Sequence, residues 1–519
     1  MDKTKIKSRF KAAKALKQPF EEEISIAYRY SKPAKDPKAV RGSTIIRDHL
    51  FDNTTDDALN TVVNHTLMMA LPEDAHWMSL KASESWKAQG NPTGALNVEL
   101  DEQTQVFFDE IADSNLRLVT ADALRDWYTA GFACVSVELT DYGVRYTAIP
   151  TGQISYMENG DTSVDTVFRE HCLPARSIVE RFTKKGTLPD WLTKLADEKP
   201  DTMVDCVEAM VPLSRQRFEY GFFLTKDWSK VFEQKTTFQP FIVFRYERAA
   251  GSPYCDSLVR SALPQIYVVN KIAEEMLTYA AFAAKAAYLT NDESLSDLRI
   301  EAGVMVYTSR PDDVKQLQPA GNFQIMPQML SAAQTLLKQQ LMADILPPPQ
   351  SSPEMSATES SIRQNQFLRK ISAAALRFEQ EYLRPLVINT IRALQAGRLM
   401  KPFAINGNPV CVTTNSLVKR VEAARRIEDA LQVFGAAAQL GEPGIMHVDV
   451  PKLGRWILET GGFPPGLLKP LEQVERELAA SDAVQAGSGV MNVMKGQGGD
   501  QEGNRATGQA VARIIGRAA

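Results

Sequence analysis

The sequence predicts an α+β protein that is predominantly helical, and three observations lead to this fold class. Apolar residues recur at helical spacing over long stretches, above all between residues 327 and 400. Between about residues 131 and 250 they alternate with polar residues, as half-buried strands do. These strands form one block and do not alternate with helices, which argues against a parallel βαβ sheet.

The composition is that of a folded soluble protein. The chain has 519 residues, of which 44% are hydrophobic and 24% charged, which is enough for several domains or one elongated body. The net charge of −4 disfavours a protein that grips nucleic acid broadly, because phosphate contacts need clustered Lys and Arg. The same net charge is compatible with a protein that holds DNA weakly and lets it pass.

The cysteine pattern and the hydropathy of the chain limit its compartment. Five scattered cysteines without a CxxC pair fit a reducing cytoplasm better than a disulfide framework. We expect no secretory signal, because no apolar core follows the basic N-terminus. We also expect no membrane contact, because no apolar run reaches the ~18 residues that a membrane span requires.

The first third of the chain reads as helices. Residues 1–40 carry basic residues and then acidic ones, which predicts a solvated amphipathic helix, or alternatively a docking arm for a neighbouring subunit or DNA. Residues 50–80 have an apolar helical face that Pro72 closes, and a further helix is predicted near 101–130.

The strand-rich region runs to about residue 250. Cys134–Leu139 alternates with period two, and Phe218–Leu224 and Phe241–Tyr246 read as further strands. Asn159-Gly160 is a turn signal between strands, and a short helix near 174–184 interrupts the region.

Helical structure is predicted to return at Ser252-Pro253, an N-cap followed by proline at the first helical position. Pro264 marks a second start or a kink, and the apolar pattern continues to Leu289. The segment Ala280–Ala287 is rich in small residues. Two interpretations remain open: a helix buried inside one domain, or a helix packed against copies of itself.

Residues 290–326 form a polar insert between two long helices, so we expect them at a tip. Gly303–Tyr307 reads as a strand within the insert. Six acidic residues cluster there: Asp292, Glu293, Asp297, Glu301, Asp312 and Asp313.

The insert is followed by a helix, a stiff loop and a very long helix. The first helix is predicted over Pro327–Ile345. The loop residues are Pro347, Pro348, Pro349, Gln350, Ser351, Ser352 and Pro353, in which the prolines fix φ and remove backbone donors.

The second helix begins at a capping box, Ser356 and Glu359, and Gly397 is its predicted end. Its apolar face is Phe367, Ile371, Ala374, Phe378, Tyr382 and Leu386. Pro385 lies inside the pattern and predicts a kink. At 1.5 Å per residue the helix spans roughly 60 Å.

The remaining chain divides into a helical part and a tail. Residues 415–480 are predicted to be helical, with segments over Leu417–Leu440 and Leu453–Glu459. Residues 481–519 are rich in Gly, Gln and Ala, which predicts a flexible C-terminal tail.

No motif for catalysis or for a cofactor is present. The sequence lacks the GxxxxGK[ST] phosphate loop, the GxSxG nucleophile elbow and the HExxH metal pair. The acidic cluster in 292–301 lacks the spacing of a calcium loop, so a solvated tip is the better interpretation. We therefore predict a protein that is not an enzyme and has no cofactor and no metal site.

Residues 251–270 read GSPYCDSLVRSALPQIYVVN, in which a Gly-Ser entry precedes a Leu-Pro-x-Ile-x-x-x-Asn helix start. This segment resembles the portal proteins, also called head-to-tail connectors, of short-tailed, podovirus-type tailed phages. Residues 67–77, 114–131 and 355–386 resemble further blocks of that family, in the same order. The resemblance extends over roughly residues 10–480.

The resemblance implies an elongated subunit with a wing, a stem, a clip and a helical crown, assembled as a ring, typically a dodecamer, around an axial DNA channel. The implied parts are a wing at 1–250, a stem helix at 251–289, a clip at 290–326, a second stem helix at 327–346, a tunnel loop at 347–356, a long kinked helix at 357–400, a crown at 401–480 and a flexible tail at 481–519.

The function that the resemblance implies is genome packaging and ejection through one capsid vertex of the virion, after assembly in the host cytoplasm. The implied partners are other copies of the chain, major capsid and scaffolding proteins, the terminase motor, tail adaptor proteins and double-stranded DNA that passes independently of sequence. The clip acids would dock the motor and then the tail. Four cations that flank the loop are candidates for facing phosphate: Lys338, Arg363, Arg369 and Lys370.

Two other functions are alternatives to a portal. A nuclease with a carboxylate-bound metal would require an acidic constellation, and no such spacing is present. A helical adaptor or scaffold protein of another viral assembly would form oligomers without an axial pore.

Overall fold

The chain forms a mixed helical and stranded structure in two compact units, Met1–Glu422 and Ala423–Ala519. The computed structural model describes residues 2–33, 49–73, 76–83, 86, 94–140, 143–183, 186–214, 217–237, 239–248, 251–284, 288–290, 314–316, 325–344, 357–401, 403, 410–414, 417–439, 448–460, 469 and 473–474. The α+β fold class is confirmed.

The N-terminal helix α1 (Lys3–Ser31) is amphipathic, as predicted, and its apolar side is covered. Asp2 caps it, since its carboxylate accepts a hydrogen bond from the Thr4 amide at 2.9 Å. Ile6 and Phe10 are buried in a cluster with side chains of the larger sheet, and the basic residues up to Lys14 face solvent. Lys17 is buried instead, and its ammonium donates to the Thr151 and Gly152 carbonyls.

The second helix, α2 (Thr54–Ala70), confirms the helix predicted within 50–80, but only in part. It ends before Pro72, and the chain then forms strand β1 (Met78–Ala82), which the sequence did not predict. Strand β12 (Val410–Thr414) pairs antiparallel with β1. A five-residue strand whose partner lies far along the chain gives no local signal.

The single helix predicted near 101–130 is wrong, because the chain breaks it into α3 (Gly94–Ala112) and α4 (Leu116–Ala130). Asn115 lies at the break. Its side-chain amide donates to the Tyr146 carbonyl at 2.8 Å, and its oxygen accepts from the Tyr146 amide at 3.0 Å. These two bonds tie the interhelical turn to a neighbouring strand.

The smaller sheet has three antiparallel strands, with β2 (Phe132–Thr140) between β3 (Gly143–Ile149) and β9 (Phe241–Arg245). Gly131 joins α4 to β2 with φ 88°, and a Cβ there would lie 2.6 Å from the Asp256 carbonyl oxygen. Only glycine fits this junction.

The larger sheet is a five-stranded antiparallel meander. Its strands are β4 (Ile154–Glu158), β5 (Val164–Pro174), β6 (Met203–Ser214), β7 (Arg217–Leu224) and β8 (Ser229–Thr236). The predicted turn at Asn159 is confirmed, since its side-chain oxygen accepts from the Asp161 and Ser163 amides. Helix α5 (Ala175–Phe182) matches the predicted short helix, and α6 (Asp190–Glu198) was not predicted.

The predicted N-cap at Ser252 is wrong. The Ser252 hydroxyl instead donates to the Tyr254 carbonyl, and the cap is Ser257, whose Oγ accepts from the Arg260 amide at 3.0 Å. Short helix α7 (Leu258–Ser261) follows, and α8 (Leu263–Ala284) begins beside Pro264, where a second start was predicted.

Two short strands and a helix follow α8. Strands β10 (Tyr288–Thr290) and β11 (Val314–Gln316) pair antiparallel. Helix α9 (Met326–Gln340) then returns and packs on α8. The predicted Pro327–Ile345 helix is therefore too long, because the chain turns at Leu341 and Met342, and Met342 has φ 61°.

The long helix is interrupted, as Pro385 predicts. Helix α10 (Ala357–Phe378) passes into a π-helical segment, Glu379–Leu383, and continues as α11 (Arg384–Ala396) with Gly397 as its C-cap. It begins directly after Ser356, which lies outside the described residues. All six residues of its predicted apolar face are buried.

The second unit is described only in its helices. Helix α12 (Leu417–Gln439) begins just before the unit boundary, and α13 (Val450–Thr460) follows. Both match predicted helical segments. The predicted tail at 481–519 lies outside the described residues.

Candidate functional site

The candidate site begins with the helix pair α8 and α9, which is fixed at its base to the N-terminal layer. The Asn270 side chain accepts from the Phe51 amide at 2.9 Å and donates to the His49 carbonyl at 2.7 Å. Gln265 donates to the Ala333 carbonyl at 3.0 Å, which joins the two helices directly. The base of the pair therefore has a defined position.

The far part of α8 is apolar and uncovered. Among the residues of α8 whose burial is described, which end at 281, Ala273 is the last buried one. None of residues 274–281 is buried, although Met276, Leu277 and Tyr279 are among them. Ala280 and Ala281, the two residues of the Ala280–Ala287 segment whose burial the structure describes, are exposed. Apolar side chains that are exposed on a described helix surface are typical of surfaces that pack against another chain.

Large apolar side chains are exposed on both helices of the pair. Four of them are Leu277 (57% exposed), Ile325 (48%), which directly precedes α9, Met329 (53%) and Leu336 (52%). Met329 and Leu336 are seven residues apart on α9, so they lie on one side of that helix.

The antiparallel pair β10–β11 closes the insert between the two helices. Tyr288 pairs with Gln316 and Thr290 with Val314, so the two ends of the insert lie side by side. The six acidic residues predicted to dock partners, and the strand predicted at Gly303–Tyr307, lie outside the described residues.

The four candidate phosphate-facing cations fall on two helices. Lys338 is exposed in the last turn of α9, and Arg369 and Lys370 are exposed on α10. Arg363 is half-buried and has an interaction partner. Arg363 and Lys370 are seven residues apart, so they lie along one side of α10. The proline-rich loop Pro347–Pro353 between the helices lies outside the described residues.

The long helix is held at its π-helical segment by a buried ion cluster that the sequence did not predict. The Arg245 side chain is 3% exposed, and its guanidinium donates to both carboxylate oxygens of Glu381 and to Glu158. The Arg245 backbone amide also donates to Glu381 at 2.9 Å. The cluster joins strand β9, the end of β4 and the π-helical segment.

Burial and ion pairing shift the pKa of Arg245 in opposite directions. Burial acts to lower the pKa of the guanidinium, but the hydrogen bonds and the charge of Glu381 outweigh it, so the pKa of Arg245 is raised. Arg245 therefore remains charged and the helix remains attached at every physiological pH. Tyr382 adds a second tie through its hydroxyl, 2.7 Å from Thr120 Oγ1.

The described residues contain no cluster of His, Cys, Asp and Glu side chains able to hold a metal ion. Among the same residues, no helix has both the length and the apolar composition that a membrane span requires.

Comparison with known proteins identifies the family. A family model described as bacteriophage head to tail connecting protein matches residues 3–468. A search of curated proteins finds no match. The matched span includes the helix pair, the insert between its helices and the long interrupted helix. The chain therefore belongs to the family of bacteriophage head-to-tail connecting proteins, which places its role at the junction of head and tail in the virion.

Proposed function

We propose that this chain is a portal protein that forms a ring, a dodecamer, at one vertex of the capsid. Its axial channel would carry double-stranded DNA inward during packaging and outward during ejection. The observation that carries the proposal is the apolar, uncovered far part of α8 and α9 in a chain of the head-to-tail connecting family. Head-to-tail contacts between identical subunits close such surfaces in a ring.

The parts of the subunit follow from this proposal. Residues 1–250 would form the wing, and 251–289 and 327–346 the stem. Residues 290–326 would form the clip, which docks the terminase motor and later the tail adaptor proteins. Residues 401–480 would form the crown, with β12 as its tie to the wing, and capsid and scaffolding proteins would contact the ring during assembly.

DNA contact in the channel would be independent of sequence. The loop 347–356 would project towards the DNA, stiffened by its prolines, and the long helix 357–400 would carry it. Lys338, Arg363, Arg369 and Lys370 would then face phosphates, which gives weak and salt-sensitive contacts. The protein would supply the conduit, and a separate motor the ATP hydrolysis.

Native mass spectrometry and negative-stain microscopy of the purified protein test the proposal. We expect a closed ring with an axial hole. A monomer that persists with scaffolding and capsid protein present would contradict the ring. Oligomers that are solid along the axis would instead indicate a helical adaptor or scaffold protein.

A further inference from the structure

A cavity of about 360 Å³ opens beside the long helix, away from the stem. It lies between strand β2, helix α5, the face of the larger sheet and helix α11. Phe182, Phe232 and Phe241 supply aromatic walls, and Val137 and Leu139 line the side formed by β2. The volume falls within the range of small-molecule and side-chain pockets.

Glu208 on β6 lines this cavity and is 2% exposed. Its Oε2 accepts a hydrogen bond from the Tyr220 hydroxyl at 2.7 Å. Its Oε1 is buried and has no hydrogen-bond partner. The nearest nitrogen atoms to Oε1 are His171 Nε2 at 3.3 Å and a guanidinium nitrogen of Arg169 and of Arg181, each at 3.7 Å. None of these contacts meets hydrogen-bond geometry.

A buried acceptor of this kind is costly unless a donor reaches it, so its presence requires an explanation. The charges around it nearly cancel, since Arg169 and Arg181 face Glu208 and Glu138. Burial lowers the pKa of His171 to about 4, so the imidazole is neutral at pH 7. The site therefore favours a neutral donor over a cation or an anion.

The mouth of the cavity is apolar and accessible. Leu139 is 40% exposed there, and Ala396 at the end of α11 is exposed. Arg181 crosses the opening with contacts that are long, at 3.4 Å to Glu138 and 3.7 Å to Glu208. The Arg181 side chain is 40% exposed, so it can turn towards solvent when the cavity is occupied.

We propose that this cavity receives an aromatic side chain with an N–H or O–H donor, a tryptophan or a tyrosine, from a partner protein of the head or tail. The ring would lie among the aromatic walls, and its donor would satisfy Glu208 Oε1. Such amphipathic aromatic residues in pockets are the usual anchors of protein interfaces. The partner is a polypeptide because the family connects head and tail components.

The inference rests on membership of the connecting family and not on the ring or the channel. Its test therefore uses the purified full-length chain in whatever oligomeric state it adopts. A failure of the ring proposal would leave the result of this test interpretable.

N-acetyltryptophanamide is the first probe, and isothermal titration calorimetry with ligand-observed NMR measures its binding. We expect millimolar or tighter binding at one site per chain. N-acetylphenylalaninamide lacks the side-chain donor and should bind about tenfold more weakly, the factor that a hydrogen bond to a buried charge commonly supplies. N-acetylargininamide should also bind more weakly, because the local charges already balance.

Ala396→Trp tests the position of the site. Its indole would occupy the mouth from an exposed position, so folding should be unaffected and probe binding should fall at least about tenfold. The matched control is Ala15→Trp, an exposed alanine on α1 outside the cavity, which should leave binding unchanged. Glu208→Gln keeps the side-chain shape and should weaken the tryptophan probe more than the phenylalanine probe.

Three results would overturn the inference. They are no binding of N-acetyltryptophanamide, equal or tighter binding of the arginine probe, and undiminished binding to folded Ala396→Trp. Binding that Glu208→Gln leaves unchanged would also overturn the assignment of Glu208 as acceptor, because the carboxylate would then hold only water.

Discussion

Single residues fix the long helix of this protein, and Arg245 is the clearest case. Its guanidinium is buried and makes ion pairs with Glu381 and Glu158, while its backbone amide also bonds to Glu381. Sequence reasoning missed this cluster because Arg245 and Glu381 are 136 positions apart and each is ordinary in its local pattern. The nearby Pro385 predicted an irregular helix, but it did not predict that Arg245 binds the helix at this point.

Glu381→Ala should destabilise the protein by about 3 kcal/mol, because it leaves a buried guanidinium without its main partner. Denaturant unfolding followed by circular dichroism measures the change. The matched control is Glu73→Ala, whose carboxylate is 74% exposed and pairs with Arg117. That variant should lose no more than about 1 kcal/mol, and equal losses in the two variants would contradict a structural role for the Arg245 cluster.

His171 makes stability depend on pH. Its pKa is lowered from 6.5 to about 4, chiefly by burial and also by the positive charges of Arg169 and Arg181. Between these two values the unfolded chain binds a proton that the folded chain does not, so stability falls as pH falls from 6.5 to 4.

His171→Gln should therefore lose less stability than the wild type between pH 7 and pH 4.5, as measured by the midpoint of urea unfolding. Carboxylates contribute to both proteins, so the difference between the two slopes isolates the histidine. The exposed His76, replaced by Gln, is the control and should keep the wild-type slope. Parallel slopes for wild type and His171→Gln would contradict the assignment.

Among the elements, amphipathic helices were the most predictable and helix ends the least. The buried face of α10 and α11 followed from spacing alone, since Phe367, Phe378 and Leu386 all lie in the core. The N-cap at Ser252 was misplaced, because Asp256 forms an isolated antiparallel bridge with Glu247 and the helix begins only after Ser257. That bridge is a tertiary effect with no signature in a Ser-Pro pair.

Helices α8 and α9 allow a test of the proposed subunit contact. Leu277→Asp combined with Met329→Asp should abolish the oligomer and leave the circular dichroism spectrum unchanged, because both side chains are exposed in the single chain. Native mass spectrometry reads out the oligomer. Leu118→Asp, at a leucine 70% exposed on α4, is the control and should still assemble. An intact ring in the double variant would show that these residues do not lie at the subunit interface.

At the scale of the whole molecule, family and fold class could be predicted from the sequence, whereas the pairing of distant parts could not. The ordered set of blocks, with Gly251–Asn270 among them, indicated the connecting family, and the family match over residues 3–468 confirms it. The pairing of β1 with β12 and the cavity at Glu208 depend on residues that approach only after folding. The candidate site was predicted as a list of charges and prolines. The structure adds the exposed apolar side chains of α8 and α9, which can be recognised only on the folded surface.

The antiparallel pair β10–β11 has an evolutionary consequence. It holds residues 288–290 and residues 314–316, between which most of the insert lies, about 5 Å apart. Sequences of different length and chemistry can be exchanged between such ends without shifting the helices beneath, since longer loops cost little extra closure entropy. If residues 290–326 dock the tail, as we propose, a lineage could acquire a new tail by replacing this insert and keeping the rest of its connector.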